Sequence, residues 1–129
     1  MELKNKKKKR TFIDSVKNCI DGIIYVYKTE NNFKREMIIG LLAIIAGFLL
    51  KISITEWAIV ILLINFVLVS ELINTALEKT VDLYTKEYNE IGKVIKDAAG
   101  ASVLVVSIAS AIIGILIFAP KILNIISNL

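Results

Sequence analysis

The chain has 129 residues, a formal net charge of +4, one cysteine and no histidine. This length suits one domain, and the missing histidine excludes a Ser-His-Asp triad, a histidine metal site and a histidine proton shuttle. Apolar residues make up 56% of the chain, which excludes an ordinary soluble domain and predicts an all-α integral membrane protein. The single Cys19 cannot form an internal disulfide.

The N-terminal part is basic and then amphipathic. Six basic residues crowd into Lys4–Arg10, within a predicted basic tail of residues 1–10. Such a cluster can bind nucleic acid, but anchoring to anionic lipid headgroups is favoured because apolar spans follow. Residues 12–29 carry apolar side chains at helical spacing, which predicts a helix lying in the membrane interface. Residues 28–36 are interpreted as a polar break with a turn at Asn31-Asn32.

Three apolar segments follow, and each is predicted to cross the membrane as a helix: residues 37–54, 57–77 and 98–119. Small residues along the first and third spans allow close helix packing. The second helix is predicted to continue beyond the lipid through residues 78–90, with a turn near Tyr88-Asn89 and Gly92. Pro120 is interpreted as the end of the third helix.

The distribution of lysine and arginine predicts the orientation. Basic residues are abundant before the first span and between the second and third, whereas the remaining loop and the tail have one each. The positive-inside rule therefore places the N-terminus and the connection before the third span in the cytoplasm. The acidic residues then gather at one interface, which argues against a proton or ion conduit.

A polar stripe runs along the second helix. Glu71, Asn74, Thr75, Glu78 and Asp82 are spaced by three, four or seven residues, so they share one helix face. A carboxylate at membrane depth costs roughly 2.5–3.5 kcal/mol and therefore usually marks function.

Carboxylates without histidine or cysteine suit a hard cation such as Mg²⁺, which prefers carboxylates together with substrate phosphates. Lys96 can neutralise phosphate charge, and the deeper Glu71 can meet the hydroxyl of a membrane substrate. This combination suggests phosphoryl transfer from MgATP to a lipid alcohol. The sequence has no Walker motif and no glycine-rich kinase loop, so a nucleotide must be bound by a different arrangement of residues.

The segment ELINTALEKTVDL, followed after a short polar connection by KDAAGASVL, resembles the small bacterial membrane diacylglycerol kinase family. The likeness covers essentially the whole chain, including its length, its three spans and its amphipathic N-terminal helix. In the family's Gram-positive branch, members are known chiefly as undecaprenol kinases. Ser102 stands where the family usually has alanine, which is a small departure.

The resemblance implies roles for individual residues. Glu71 matches the proposed catalytic base and Asn74 an active-site asparagine. Glu30 and Glu78 match the ligands of a divalent metal ion. The residues implied to contact the nucleotide are Lys96, Asp97, Glu87, Tyr88, Asn89, Asn18 and Arg10. Asp82 closes the first motif and has no separate role.

The resemblance also implies a homotrimer in the cell membrane, with active sites shared between neighbouring subunits. Undecaprenol is the favoured acceptor on overall likeness, and diacylglycerol is the alternative. Two other classes compete with a kinase: a small oligomeric pore and a non-catalytic membrane scaffold. Lys96 and Asp97 argue against a pore, because they would have no function in one. The polar stripe argues against a scaffold for the same reason.

Overall fold

A computed structural model describes residues 9–129 of the chain, and the regular secondary structure of this part is entirely helical. The four helices are α1 (Phe12–Thr29), α2 (Asn31–Leu49), α3 (Ile54–Tyr84) and α4 (Glu90–Ser127). The prediction of an all-α protein is confirmed. The basic tail lies outside the described residues except for Lys9 and Arg10.

Capping boxes start two of the helices. Thr11 Oγ1 accepts from the Asp14 backbone N–H at 3.2 Å, and Asp14 Oδ2 accepts from the Thr11 N–H at 3.0 Å. Ser53 and Glu56 form the same reciprocal pair at the start of α3. Such pairs satisfy backbone donors that a helix N-terminus otherwise leaves unbonded.

Glu56 also connects distant parts of the chain. Its carboxylate lies 3.1 Å from Lys121 Nζ, so the end of α4 is held beside the start of α3. The two helices are therefore antiparallel, and the α3–α4 connection lies at the opposite end of the molecule.

Two predicted boundaries between helices are wrong. Only Glu30 separates α1 from α2, so the polar break at residues 28–36 is largely helical. Phe33, Gly40 and Gly47 are buried at seven-residue spacing, and α2 extends over the polar residues to keep Phe33 on that face. The predicted extension of the second helix ends earlier than expected, at Tyr84, and Gly92 lies inside α4.

The prediction that Pro120 ends the last helix is also wrong. Proline lies inside α4, which continues to Ser127. A proline removes one backbone donor from a helix, and in an apolar environment the remaining backbone groups still have their best partners within the helix.

The helices pack around α3. It contacts α4 most extensively and α2 next, while α1 touches both α2 and α3. Ile52, Val60 and Ile117 form a small buried cluster near the α2–α3 connection. Most other large apolar side chains are exposed on the single chain. An apolar exterior of this extent is typical of a surface that faces lipid or another subunit.

Among the helices of residues 9–129, α3 and α4 are by length and composition apolar enough to cross a membrane. The helix α2 is shorter, and its first turns include Lys34, Arg35 and Glu36. The helix α2 ends at Leu49, within the predicted first span over residues 37–54.

Candidate active site

A group of carboxylates meets where α1 and α2 join against α3. Glu71 is buried on α3, with 3% of its surface exposed. The charges of Glu30 and Glu78 act on the Glu71 carboxylate, and the charge of Glu71 acts on Glu36. We call Glu30, Glu36, Glu71 and Glu78 the carboxylate cluster. The predicted base and both predicted metal ligands are thus near enough for their charges to interact.

The local fold leaves the Glu30 side chain available. Glu30 ends α1 and begins α2, and its backbone N–H donates to the Val26 carbonyl at 2.8 Å. Its side chain makes no capping hydrogen bond to α2. The carboxylate is therefore free to bind a ligand at this junction.

Several polar atoms around the cluster have unused hydrogen-bonding capacity. Asn74 Nδ2 donates to Glu78 Oε1 across a long 3.5 Å. Within residues 9–129, four buried side-chain oxygens have no hydrogen-bond partner, and three of them belong to this region: Asn74 Oδ1, Thr75 Oγ1 and Glu36 Oε2. Because buried polar atoms without partners are costly, this arrangement is suited to a polar group brought from outside the chain.

A second group of predicted residues surrounds a pocket of ≈ 400 Å³ at the α3–α4 connection, which we call the connection pocket. Its lining includes Asp82, Glu87, Tyr88, Asn89, Lys96 and Asp97. Asn89 Oδ1 accepts from the Gly92 backbone N–H at 2.9 Å and so caps α4. A side-chain Cβ at Gly92 would lie 2.9 Å from Val81 Cγ1, so glycine lets the start of α4 approach α3 closely.

Two ion pairs involve residues that line the connection pocket. Lys96 Nζ donates to Asp82 Oδ1 at 2.6 Å and links α4 to α3. Lys93 Nζ donates to Asp97 Oδ2 at 2.5 Å within α4. Lys96 and the adjacent Asp97 thus have different partners, because neighbouring residues on a helix face different directions.

The ion pair also sets the acidity of Asp82, which lies beyond the predicted end of the second span at residue 77. The hydrogen bond from Lys96 lowers the pKa of Asp82 below its ordinary value of 3.8, and the charges of Lys96, Lys79 and Lys86 add to this effect. Asp82 is therefore ionised at neutral pH, and the link between α3 and α4 is intact.

Arg10 and Asn18, which were predicted to contact the nucleotide, are both exposed. Neither lines the connection pocket. Their participation stays a prediction.

A lateral groove of ≈ 570 Å³ runs between α2, α3 and α4. Most of its lining is apolar, with Gly40, Ala43, Val60 and Gly114 among the lining residues. Glu36 lines it too, so the groove adjoins the carboxylate cluster.

Comparison with known proteins identifies the family. Residues 17–118 match the family model described as prokaryotic diacylglycerol kinase. The chain belongs to the prokaryotic diacylglycerol kinase family. It is therefore a lipid kinase, and the predicted resemblance is confirmed.

Members of this family share different levels of sequence identity with the chain. The undecaprenol kinase of Bacillus subtilis is 43% identical over 110 residues, which cover 85% of this chain and 89% of that protein. The diacylglycerol kinase of Synechocystis is 36% identical over 80% of this chain, and the match covers 59% of that protein. The diacylglycerol kinase of Escherichia coli is 29% identical over 70% of this chain and 75% of its own.

Two features of this diacylglycerol kinase family member were missed from the sequence. Glu36 ends the segment 28–36 that was interpreted as a polar break and received no role of its own, whereas the structure places it near Glu71 in the carboxylate cluster. Its spacing from Phe33 and Gly40 could have shown that it shares their helix face, because positions three and four apart lie on one face. Lys93 received no role, yet it lines the connection pocket. Its position one turn before Lys96 was the available signal.

Proposed function

We propose that this protein transfers the γ-phosphoryl group of MgATP to the hydroxyl of undecaprenol in the cell membrane. The observation that carries the choice of acceptor is the 43% identity with an undecaprenol kinase across most of both chains. The buried Glu71 and the adjoining lateral groove support an acceptor that approaches from the lipid.

Glu71 is proposed to accept the proton of the lipid hydroxyl. As the oxygen–phosphorus bond forms, the bond from the γ-phosphorus to ADP breaks, and the hydroxyl proton passes to the Glu71 carboxylate. Burial keeps water from this group, and the free oxygens of Asn74 and Thr75 can orient the hydroxyl. In a loose phosphoryl-transfer transition state, such positioning provides much of the rate enhancement.

Glu30 and Glu78 are proposed to hold Mg²⁺ together with the phosphates of ATP. Residues 9–129 contain no group of three acidic, cysteine or histidine side chains arranged to hold a metal ion by themselves. Mg²⁺ often binds through one or two carboxylates plus substrate phosphates. The metal ion would neutralise phosphate charge during transfer.

The nucleotide is proposed to lie in the connection pocket, with Lys96 near its phosphates. Glu78 is one helical turn from Asp82 on the pocket wall, whereas Glu71 is about 16 Å from Asp82 along the helix axis. Along α3, Glu78 therefore lies between the proposed base and the proposed nucleotide pocket. Glu87, Tyr88, Asn89 and Asp97 line the same pocket. Arg10, which precedes α1, and Asn18 on α1 are proposed to reach the nucleotide as well.

We also propose that α2, α3 and α4 all cross the membrane, with the active site at the cytoplasmic face. The orientation is supported by the lysines and arginines gathered before the first predicted span and by the four lysines in the segment Lys79–Lys96. A homotrimer with shared sites is supported by the largely exposed apolar surfaces of these helices. On one chain the carboxylate cluster and the connection pocket do not share a cavity, which suits completion by a neighbouring subunit.

Diacylglycerol is the second candidate acceptor, because the relatives from Synechocystis and Escherichia coli are diacylglycerol kinases. The deciding experiment incubates the purified protein in mixed micelles with labelled ATP, Mg²⁺ and one of the two lipids. We expect faster phosphorylation of undecaprenol. Faster turnover of diacylglycerol would reverse the choice, and no product from either lipid would refute the proposed function.

The proposed metal role predicts a specific defect in Glu78→Gln. Loss of one carboxylate ligand should raise the Mg²⁺ concentration needed for half-maximal activity by about tenfold, the change that corresponds to 1.4 kcal/mol of binding free energy. Activity measured across a Mg²⁺ titration tests this. An unchanged Mg²⁺ requirement would contradict the role of Glu78 as a ligand.

A further inference from the structure

The side chains that line the connection pocket have no net formal charge before any nucleotide binds. Its lining includes three lysines and three acidic residues, so their formal charges cancel. The lysines are Lys86, Lys93 and Lys96, and the acids are Asp82, Glu87 and Asp97. Within residues 9–129, Lys93 and Lys96 each form an ion pair with a carboxylate of the pocket, whereas Lys86 forms none. A triphosphate needs positively charged partners, so each paired lysine must leave its carboxylate before it can bind phosphate fully.

The two ion pairs of the pocket differ in how readily they open. The Lys96–Asp82 pair joins two helices, and its side chains are 39% and 43% exposed. The Lys93–Asp97 pair lies within α4, and its side chains are 59% and 64% exposed. Exposed pairs at i and i+4 contribute little to stability because water and salt screen them. Lys93 therefore leaves its carboxylate partner at a lower cost in free energy than Lys96 does.

Lys93 is also well placed to act with Lys96. The two residues are three apart on α4, so their side chains lie on neighbouring parts of one face. Both line the same pocket, close to the start of the helix. Two ammonium groups in this arrangement can bind different oxygens of one polyphosphate through charge-assisted hydrogen bonds.

We propose that Lys93 is a second phosphate-binding lysine of the nucleotide site, which Asp97 holds in the empty pocket and which a polyphosphate takes over. The inference rests on the proposed function, since it requires that ATP binds in the connection pocket. It assigns to Lys93 an affinity for the phosphates of the nucleotide, and to Asp97 the role of its partner in the empty state.

The test compares the full-length protein with Lys93→Gln, Lys93→Arg and the matched control Lys79→Gln in mixed micelles. Lys79 is an exposed lysine on α3 that does not line the pocket. Lys93→Gln should raise the KM for MgATP about tenfold, as expected when one charge-assisted hydrogen bond is lost. Its kcat and its KM for the lipid should stay within about twofold. Lys93→Arg should keep most of the affinity, and Lys79→Gln should match the wild type.

A measurement on the wild-type protein keeps the inference testable if a variant fails to fold. An amine-acylating reagent is applied with and without MgATP, and the modified lysines are mapped by mass spectrometry. MgATP should protect Lys93 and Lys96 and leave Lys79 reactive.

The possible outcomes separate this inference from the proposed function. An active wild type whose Lys93→Gln variant has the KM of Lys79→Gln would overturn the role of Lys93 alone. Equal acylation of Lys93 with and without MgATP would do the same. A wild type that phosphorylates neither lipid would instead refute the proposed function.

Discussion

At the scale of single residues, burial separates the acidic side chains of this lipid kinase. Glu71 is almost fully buried, whereas Asp97 is largely exposed and paired with a lysine on its own helix. A buried carboxylate that has only other carboxylates as charged neighbours is costly. The presence of such a costly group indicates a function, and the function proposed for Glu71 is to accept a proton.

The proposed base predicts that Glu71→Gln loses turnover but keeps nucleotide binding. The amide has the same shape but cannot take the proton, so kcat should fall by about 10²- to 10⁴-fold. Affinity for a fluorescent ATP analogue should stay within about twofold, because Glu71 lies far from the connection pocket. Glu90→Gln, which removes an exposed acid in the first turn of α4, is the control. A kcat reduced less than tenfold would instead assign Glu71 the orientation of the hydroxyl.

The Lys96–Asp82 pair predicts a defined pH dependence of stability. The pKa of Asp82 is lower in the folded protein than its ordinary value of 3.8, so the pair stabilises the fold above that value. This contribution is lost as the pH falls through the lower pKa of the folded state.

Thermal unfolding in detergent provides the measurement. The Tm of the wild type should exceed that of Asp82→Asn by a constant amount between about pH 5 and pH 8, and the difference should shrink below about pH 4. A difference that changes near neutral pH would contradict this assignment.

At the scale of helices, one close contact fixes the angle between α2 and α3. A Cβ added at Gly47 would lie 2.7 Å from Trp57 Cη2 and 2.9 Å from Cζ2. The Trp57 ring is also held by Phe48, with ring centroids 4.8 Å apart. The indole therefore has little freedom to move away from a larger residue at position 47.

Gly47→Ala should consequently destabilise the protein by about 1–3 kcal/mol, the usual cost of overpacking. Gly22→Ala is the matched control, because a Cβ at Gly22 meets no atom within 4 Å and alanine favours the helix. Thermal unfolding of both variants in the same detergent gives the comparison. A Gly47→Ala variant as stable as Gly22→Ala would show that Trp57 can move.

At the scale of the whole molecule, the proposed topology places the two ends of the chain on opposite sides of the membrane. Cys19 is exposed on α1 and is the only cysteine, which makes it a native reporter of the cytoplasmic side. A Cys19→Ser chain that also carries Ser127→Cys reports the end of α4.

A membrane-impermeant maleimide applied to intact cells should label only the chain with Ser127→Cys. Cys19 should react only after the membrane is opened. Labelling of Cys19 in intact cells would invert the topology. Labelling of both chains would contradict an odd number of crossings.

The sequence by itself determined the helical class and the family, and it predicted most of the residues of the candidate site. These depend on local spacing: a polar stripe repeating every three, four or seven residues defines one helix face wherever the helix packs. The limits of the helices were less well determined, because tertiary packing carries α2 through a polar segment to bury Phe33, and α4 continues through Pro120.

Only the tertiary structure decided which residues meet. Glu36 joins Glu71 because α2 packs against α3, and no local pattern relates residues that far apart in the chain. Likewise, Lys96 pairs with Asp82 rather than with its neighbour Asp97, because the antiparallel packing of α3 and α4 places their side chains together. The partners of a charged group depend on the distances between helices, which local spacing alone does not fix.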